Sequence, residues 1–257
     1  QRSIEHPESF WAEQAKRIPW YTPPKTILSY DEQSPGKEHA RWFSDGEMNL
    51  SYAALDYHVE NGRGDQAAIF WDSPAAQAKL TLSYREMRDK VAYFAGALTQ
   101  LGIIKGDRVV IYMPMIPEAL VAMYACARLG AIHSVVFGGF APHELAARIE
   151  DAEPKVVVAA SCGIELGKVL PYKPMVDQAV ELSAHKPDAC VVYQREAHRA
   201  ELEEGDYDWE ELVANRPAVY PLYLRHHRKT QRRYARYGWL RGSAGLFDAG
   251  DLRHRAR

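Results

Sequence analysis

The sequence predicts an α/β fold built on a doubly wound parallel sheet. Three observations carry it. From residue 83 onward, short apolar runs of strand type alternate with longer helical patterns, the order expected of βα units. The helical patterns carry their own start and stop residues. The most apolar stretch, 109–140, reads as buried strand, helix and buried strand in succession. In such a fold, ligands bind at the carboxyl ends of the strands.

Residues 7–18 (PESFWAEQAKRI) read as a first helix, with Pro7 at its start and acids in the first turn. Residues 20–45 are rich in proline and aromatic rings and are expected to wrap a surface. Asn49 or Ser51 can cap a short helix through Val59, and NGRGD at 61–65 is a turn cluster. Residues 67–71 and 79–82 are strand-like on either side of a proline-containing turn, as in a hairpin. Ser83-Tyr84-Arg85-Glu86 forms a capping box, and Val91, Phe94, Ala95 and Leu98 continue one apolar face until Gly102 ends it.

Gly106-Asp107 then turns into a strand at 108–112. A helix at 117–129 closes on Gly130, and a strand at 131–136 leads to Phe137-Gly138-Gly139-Phe140. A helix at 142–151, a strand at 155–160, a helix at 174–183 and a strand at 189–193 follow. Residues 201–211 are acidic and read as a surface loop leading into a short helix. Beyond Arg216 the periodicity disappears.

Composition narrows the class. The chain has 257 residues, 47% hydrophobic and 26% charged, which fits one large or two small globular domains and excludes fibrous repeats. Glu118, Arg128 and His133 interrupt the apolar stretch, so no membrane span is expected. Cys126, Cys162 and Cys190 are widely spaced, without CxxC or HxC neighbours, so neither a disulfide framework nor a metal site is indicated. A reducing cytoplasm, or a mitochondrial matrix in a eukaryote, fits that usage. The chain has no initiator Met and is expected to begin inside a longer protein. Its net charge of −2 hides a split: 216–257 carries ten Arg and one Lys against Asp248 and Asp251, a net +9, and the remaining 215 residues carry −11.

Several residues are candidates for chemistry. Gly138 and Gly139 sit between a buried strand and a helix, where the lack of side chains lets a phosphate or a thiol arm approach backbone amides; an ordinary tight turn is the alternative. Lys168 stands in a loop, 163–168, just past a strand end, where an ammonium meets a phosphate or simply water. His133 on an apolar strand reads as a core histidine before a catalytic base. Cys126 and Cys162 read as small buried hydrophobes. Arginines interleaved with Tyr234, Tyr237 and Trp239 have the composition of an RNA-binding arm.

Three stretches together carry a family resemblance: ESFWAEQAKRIPW, ARWFSDGEMNLSYAALD, and the long run from LSYREMRDK through GDRVVIYMPMIPEALVAMYACARLGAIHSVVFGGF to ELGKVLPYKP. From about residue 1 to 214 the chain resembles the N-terminal part of AMP-forming short-chain acyl-CoA synthetases, the propionyl-CoA branch most and acetyl-CoA synthetase next. The resemblance implies the incomplete large domain of an acyl-adenylate-forming enzyme: an N-terminal helical and extended segment at 1–66, βα units at 67–214, and a basic segment outside the family at 215–257. It implies ATP, Mg²⁺ and CoA as cofactors or substrates, with a short carboxylic acid as the group activated. Gly138 and Gly139 would lie along the pantetheine tunnel, and Glu165, Leu166, Gly167 and Lys168 would hold the phosphorylated ribose of CoA. The family loop commonly begins and ends with a basic residue, and here Glu165 stands first.

The family continues with TSGTTGKPKG, a phosphate loop that does not occur in this chain. Back-translation of 216–256 through permitted codons, read one base later, gives DPLYILYTSGTTGKPKG and a family-like continuation. The expectation is therefore a reading-frame slip near 214–216. It accounts at once for the charge split, the lost periodicity and the missing loop, and it attributes the arginines to codon arithmetic rather than to nucleic-acid binding. The chain as it stands is then expected to be inactive, with no catalytic residue and no metal ligand of its own.

Overall fold

The computed structural model describes residues 1–30, 40–165, 167–214 and 217–220. These belong to one compact unit, Gln1–Tyr223. Two short helices, α1 (Arg2–Glu5) and α2 (Pro7–Ala15), open the chain. Pro7 begins α2, where its missing N–H costs nothing. The wrap that follows is pinned by antiparallel strands β1 (Leu28–Tyr30) and β2 (Ala40–Trp42).

The amide of Tyr52 donates to the Asn49 side chain at 3.0 Å, so Asn49 caps the next helical segment. That segment contains two π-helical stretches, Tyr52–Asp56 and Val59–Arg63, and extends past the expected end at Val59 into the NGRGD cluster. Gly62 carries the kink at φ +79°. The hairpin of β3 (Ala67–Ser73) and β4 (Ala78–Ser83) forms as expected.

Helix α3 (Tyr84–Gln100) starts at a complete capping box, in which the Glu86 amide donates to Ser83 Oγ and the Ser83 amide to the Glu86 carboxylate. The other units follow: β5 (Arg108–Met113), α4 (Pro117–Leu129), β6 (Ile132–Phe137), α5 (Pro142–Ala152) and β7 (Val156–Ala160). Gly130 closes α4 in the left-handed conformation, φ +73°. Next come β8 (Cys162–Glu165), β9 (Lys168–Pro171), α6 (Lys173–Leu182), β10 (Ala189–Tyr193), β11 (Asp206–Asp208) and α7 (Trp209–Ala214).

Two expectations are corrected here. Residues 163–168, expected as a loop, form most of an antiparallel hairpin between β8 and β9. The acidic stretch 201–211, expected as a loop before a helix, adds β11 in parallel to β10.

The central sheet has five parallel strands in the order β11-β10-β7-β5-β6. Val109, Val110, Ile111 and Tyr112 of β5 and all of β7 are fully buried, which requires cover on both faces. Helix α3 packs with α4 and α7, and α5 with α6. Trp209 of α7 stacks on Phe94 of α3 at 3.5 Å between ring centroids. Because β5 precedes both its neighbours in the chain, the strand order reverses between β5 and β7, the switch point beyond whose carboxyl ends such sheets bind ligands.

Among the described residues no helix is long and apolar enough to cross a membrane. Val219 reaches back to the unit, its amide donating to the Ala92 carbonyl at 2.8 Å. Beyond Tyr220 the basic segment, with Tyr234, Tyr237 and Trp239, lies outside the described residues.

Candidate functional site

The ends of three strands, β5, β6 and β7, meet at the switch point. Beyond β6 stands the turn Gly138-Gly139, and beyond β7 the hairpin β8–β9. Two tyrosines bind these together. Tyr112, near the end of β5, donates its hydroxyl to the Phe140 carbonyl at 2.8 Å and accepts from the Gly139 amide at 3.1 Å. Tyr172, just past β9, lies 5.0 Å from Tyr112 between ring centroids and donates to Glu165 Oε1 at 3.2 Å. Its amide donates to the Ser161 carbonyl at the end of β7, at 2.9 Å.

The glycines are needed by the chain itself. A Cβ on Gly138 would lie 2.8 Å from the Met113 carbonyl group and equally close to the Tyr172 ring. On Gly139, which sits at φ +95°, it would collide with the Glu165 carboxylate, and on Gly163 with the Tyr172 hydroxyl. The room at Gly138 and Gly139, expected to admit a ligand, is thus occupied on the side-chain side by Met113, Tyr172 and Glu165.

Glu165 and Lys168 are the paired residues at the hairpin tip, with Gly167 turning the chain at φ +77°. Both side chains are exposed. Leu166 lies outside the described residues. The structure therefore brings Gly138, Gly139, Glu165, Gly167 and Lys168 to one end of the sheet, although they come from two separate segments. Tyr112 and Tyr172, which join the glycine turn to the hairpin, were not singled out by sequence reasoning; only their places near strand ends marked them.

Burial pushes both phenols above their ordinary value, reinforced by the charge of Glu165. They therefore stay protonated and able to donate. At the neighbouring strand end, burial raises Glu118 in the first turn of α4. Burial likewise pushes the Tyr193 hydroxyl, bonded to Glu118, up to about 12.

Of the other candidates, His133 and Cys126 lie away from this end of the sheet, and Cys162 sits at the base of the β8–β9 hairpin. His133 on β6 pairs in register with Val109 of β5, and burial lowers its pKa. Cys126 is buried in α4 with its thiol pushed up to about 12 by burial, so it is a poor nucleophile. Cys162 is buried and unbridged. Among the described residues no three His, Cys, Asp or Glu side chains gather as metal ligands.

A family model described as "AMP-binding enzyme" matches residues 55–230, and one described as "Acetyl-coenzyme A synthetase N-terminus" matches residues 1–54. The chain belongs to the AMP-binding enzyme family. Similar to this AMP-binding chain are an uncharacterized protein of Pseudomonas aeruginosa, 53% identical over 86% of the chain and 35% of the relative, and the mitochondrial acyl-CoA synthetase short-chain family member 3 of Homo sapiens, 48% identical over 86% and 33%. The acetyl-coenzyme A synthetase of Shewanella denitrificans is 44% identical over 83% of the chain and 33% of the relative.

Among solved structures, the acetoacetyl-CoA synthetase from Streptomyces lividans shares the fold, with a TM-score of 0.73 at 24% identity over 86% of this chain and 33% of that one. The resemblance to short-chain acyl-CoA synthetases thus stands, and so does its partial extent. The chain spans about a third of the length of the relatives it matches.

Proposed function

We propose that the chain is the N-terminal part of an ATP-dependent ligase that joins a short carboxylic acid, propionate or acetate, to CoA. In that reaction the carboxylate oxygen attacks the α-phosphorus of ATP and pyrophosphate leaves. The CoA sulfur then attacks the acyl carbon of the adenylate, AMP leaves, and the thiol proton passes to solvent.

One observation supports this chain's share of the work most directly. The glycine turn and the Glu165–Lys168 tip, separate in sequence, meet beyond the carboxyl ends of β5, β6 and β7, where this topology binds ligands. CoA supplies the thiol that accepts the acyl group. Lys168 would pair with a phosphate of CoA, and Glu165 would weaken that hold by like-charge repulsion. The open face of the turn would border the pantetheine arm. No described cluster suits Mg²⁺, which nucleotide phosphates themselves largely carry.

The phosphate loop TSGTTGKPKG does not occur in the chain. Such a loop offsets charge developing on the transferred phosphoryl group, so the chain as given is inactive in this reading. The purified chain should give no ATP–pyrophosphate exchange with propionate or acetate. Exchange above a heat-killed control would overturn the inactivity.

The +9 segment supports one other reading, a basic non-enzymatic module that holds RNA. Salt-dependent RNA retention that vanishes when the residues after Arg216 are removed would favour it.

A further inference from the structure

An acid at the tip of a proposed anion site calls for an explanation, and its position supplies one. Glu165 Oε1 accepts the Tyr172 hydroxyl at 3.2 Å, and the carboxylate lies against Gly139, where any side chain would collide with it. The acid is engaged with the glycine turn rather than left free at the tip. Tyr172 reaches it only because Gly163 has no side chain. Tyr112 holds the other partner, bridging the Gly139 amide and the Phe140 carbonyl.

The base of the hairpin is tied separately, by Arg195 Nη1 donating to the Cys162 carbonyl at 2.9 Å and by the Tyr172 amide on Ser161. Among the described residues of the tip no backbone hydrogen bond runs to the rest of the unit, and strands of four residues make a hairpin only marginally stable alone.

We propose that Tyr112 and Tyr172 are positioning residues that hold the hairpin tip against the Gly138-Gly139 turn, with the Glu165 carboxylate as the latch. The latch fixes the distance between the turn's backbone and Lys168. Its consequence for a ligand rests on the CoA reading above. In that reading Glu165 replaces a phosphate contact with a contact that orders the tip before the ligand arrives, and ordering paid in advance strengthens binding.

Amide hydrogen exchange of the full 257-residue chain tests the latch without any ligand. Y172F keeps the ring that packs under Gly138 and removes only the hydroxyl. E165A removes the acceptor, and E165Q retains it. Y172F and E165A should each speed exchange across residues 163–170 about fivefold, the scale of one net hydrogen bond. The double variant should go no further, E165Q should stay near wild type, and β7 should be unchanged throughout. Y112F should speed exchange at residues 138–140. Wild-type exchange in Y172F and E165A, or an additive double variant, would overturn the latch.

Calorimetric titration with CoA then separates the two readings. Uptake by wild type that weakens about fivefold in Y172F and is at least as tight in E165Q, which keeps the acceptor and removes the repelling charge, supports the ligand role. Equal uptake by wild type and Y172F overturns that role and leaves the CoA reading standing. No uptake by wild type overturns the CoA reading, and exchange alone then decides the latch.

Discussion

Single side chains in this protein connect segments that are distant in sequence. Arg128 of α4 is the strongest case. Its guanidinium is wholly buried and grips Asp56 with two bonds, at 2.6 and 3.4 Å, while also donating to Ser51 Oγ and the Val219 carbonyl, both at 3.2 Å. Burial pushes the Asp56 carboxyl up and the facing guanidinium opposes that. Asp56→Ala would leave a buried cation without its partner, so stability in denaturant should fall by about 3–5 kcal/mol; a loss under 1 kcal/mol would contradict the geometry. Gly138→Ala should cost about 1–3 kcal/mol, because the added methyl meets the Met113 backbone, which cannot rotate away. Unfolding curves matching wild type would show that the turn yields.

At the scale of elements, the loop before β5 offers a pH-dependent test. Asp107 accepts from Lys155 Nζ at 2.8 Å and from the Ile104 amide at 2.9 Å, tying that loop to the chain entering β7. The Lys155 bond, then the Ile104 amide, hold its carboxyl below the ordinary value of 3.8. A depressed folded value means that the unfolded chain binds the proton more tightly, so this contribution is complete above that value and fades as pH falls through the lower folded one. Asp107→Asn keeps the shape without the charge. The stability gap between wild type and D107N should be widest above about pH 5, from the same linkage, and should narrow toward pH 3. A gap independent of pH would sink the assignment.

Elements with local chemistry were legible in advance. Ser83 with Glu86, Pro117 with Gly130, and Pro142 mark α3, α4 and α5 because capping depends on neighbours within a few residues. The hairpin β8–β9 and strand β11 were not. CGIE and KVLP are short and mixed in polarity, and DYD joins the sheet only because β10 offers a free edge. The candidate site was half legible: the glycines and Lys168 stood out by type, whereas Tyr112 and Tyr172 look like ordinary core residues until the chain is folded.

For the molecule as a whole, the open question is the reading frame. Sequencing the coding DNA across residues 214–230 should expose a missing or extra base, and codons incompatible with the shifted peptide would refute the slip. The family model extends to residue 230, beyond the start of the basic run. Val219 and Tyr220 still engage the unit, Tyr220 through a 3.1 Å bond to Asp89.

The order of the sheet also sets a timetable for synthesis. Strand β5, buried on both faces, leaves the ribosome before either of its neighbours. Its partner β7 follows only after α4, β6 and α5 have been made. Throughout that interval one flank of a very apolar strand stands without its partner, and long-range parallel pairing is slow. The nascent chain is therefore exposed to mispairing at the strand that carries Tyr112 to the glycine turn.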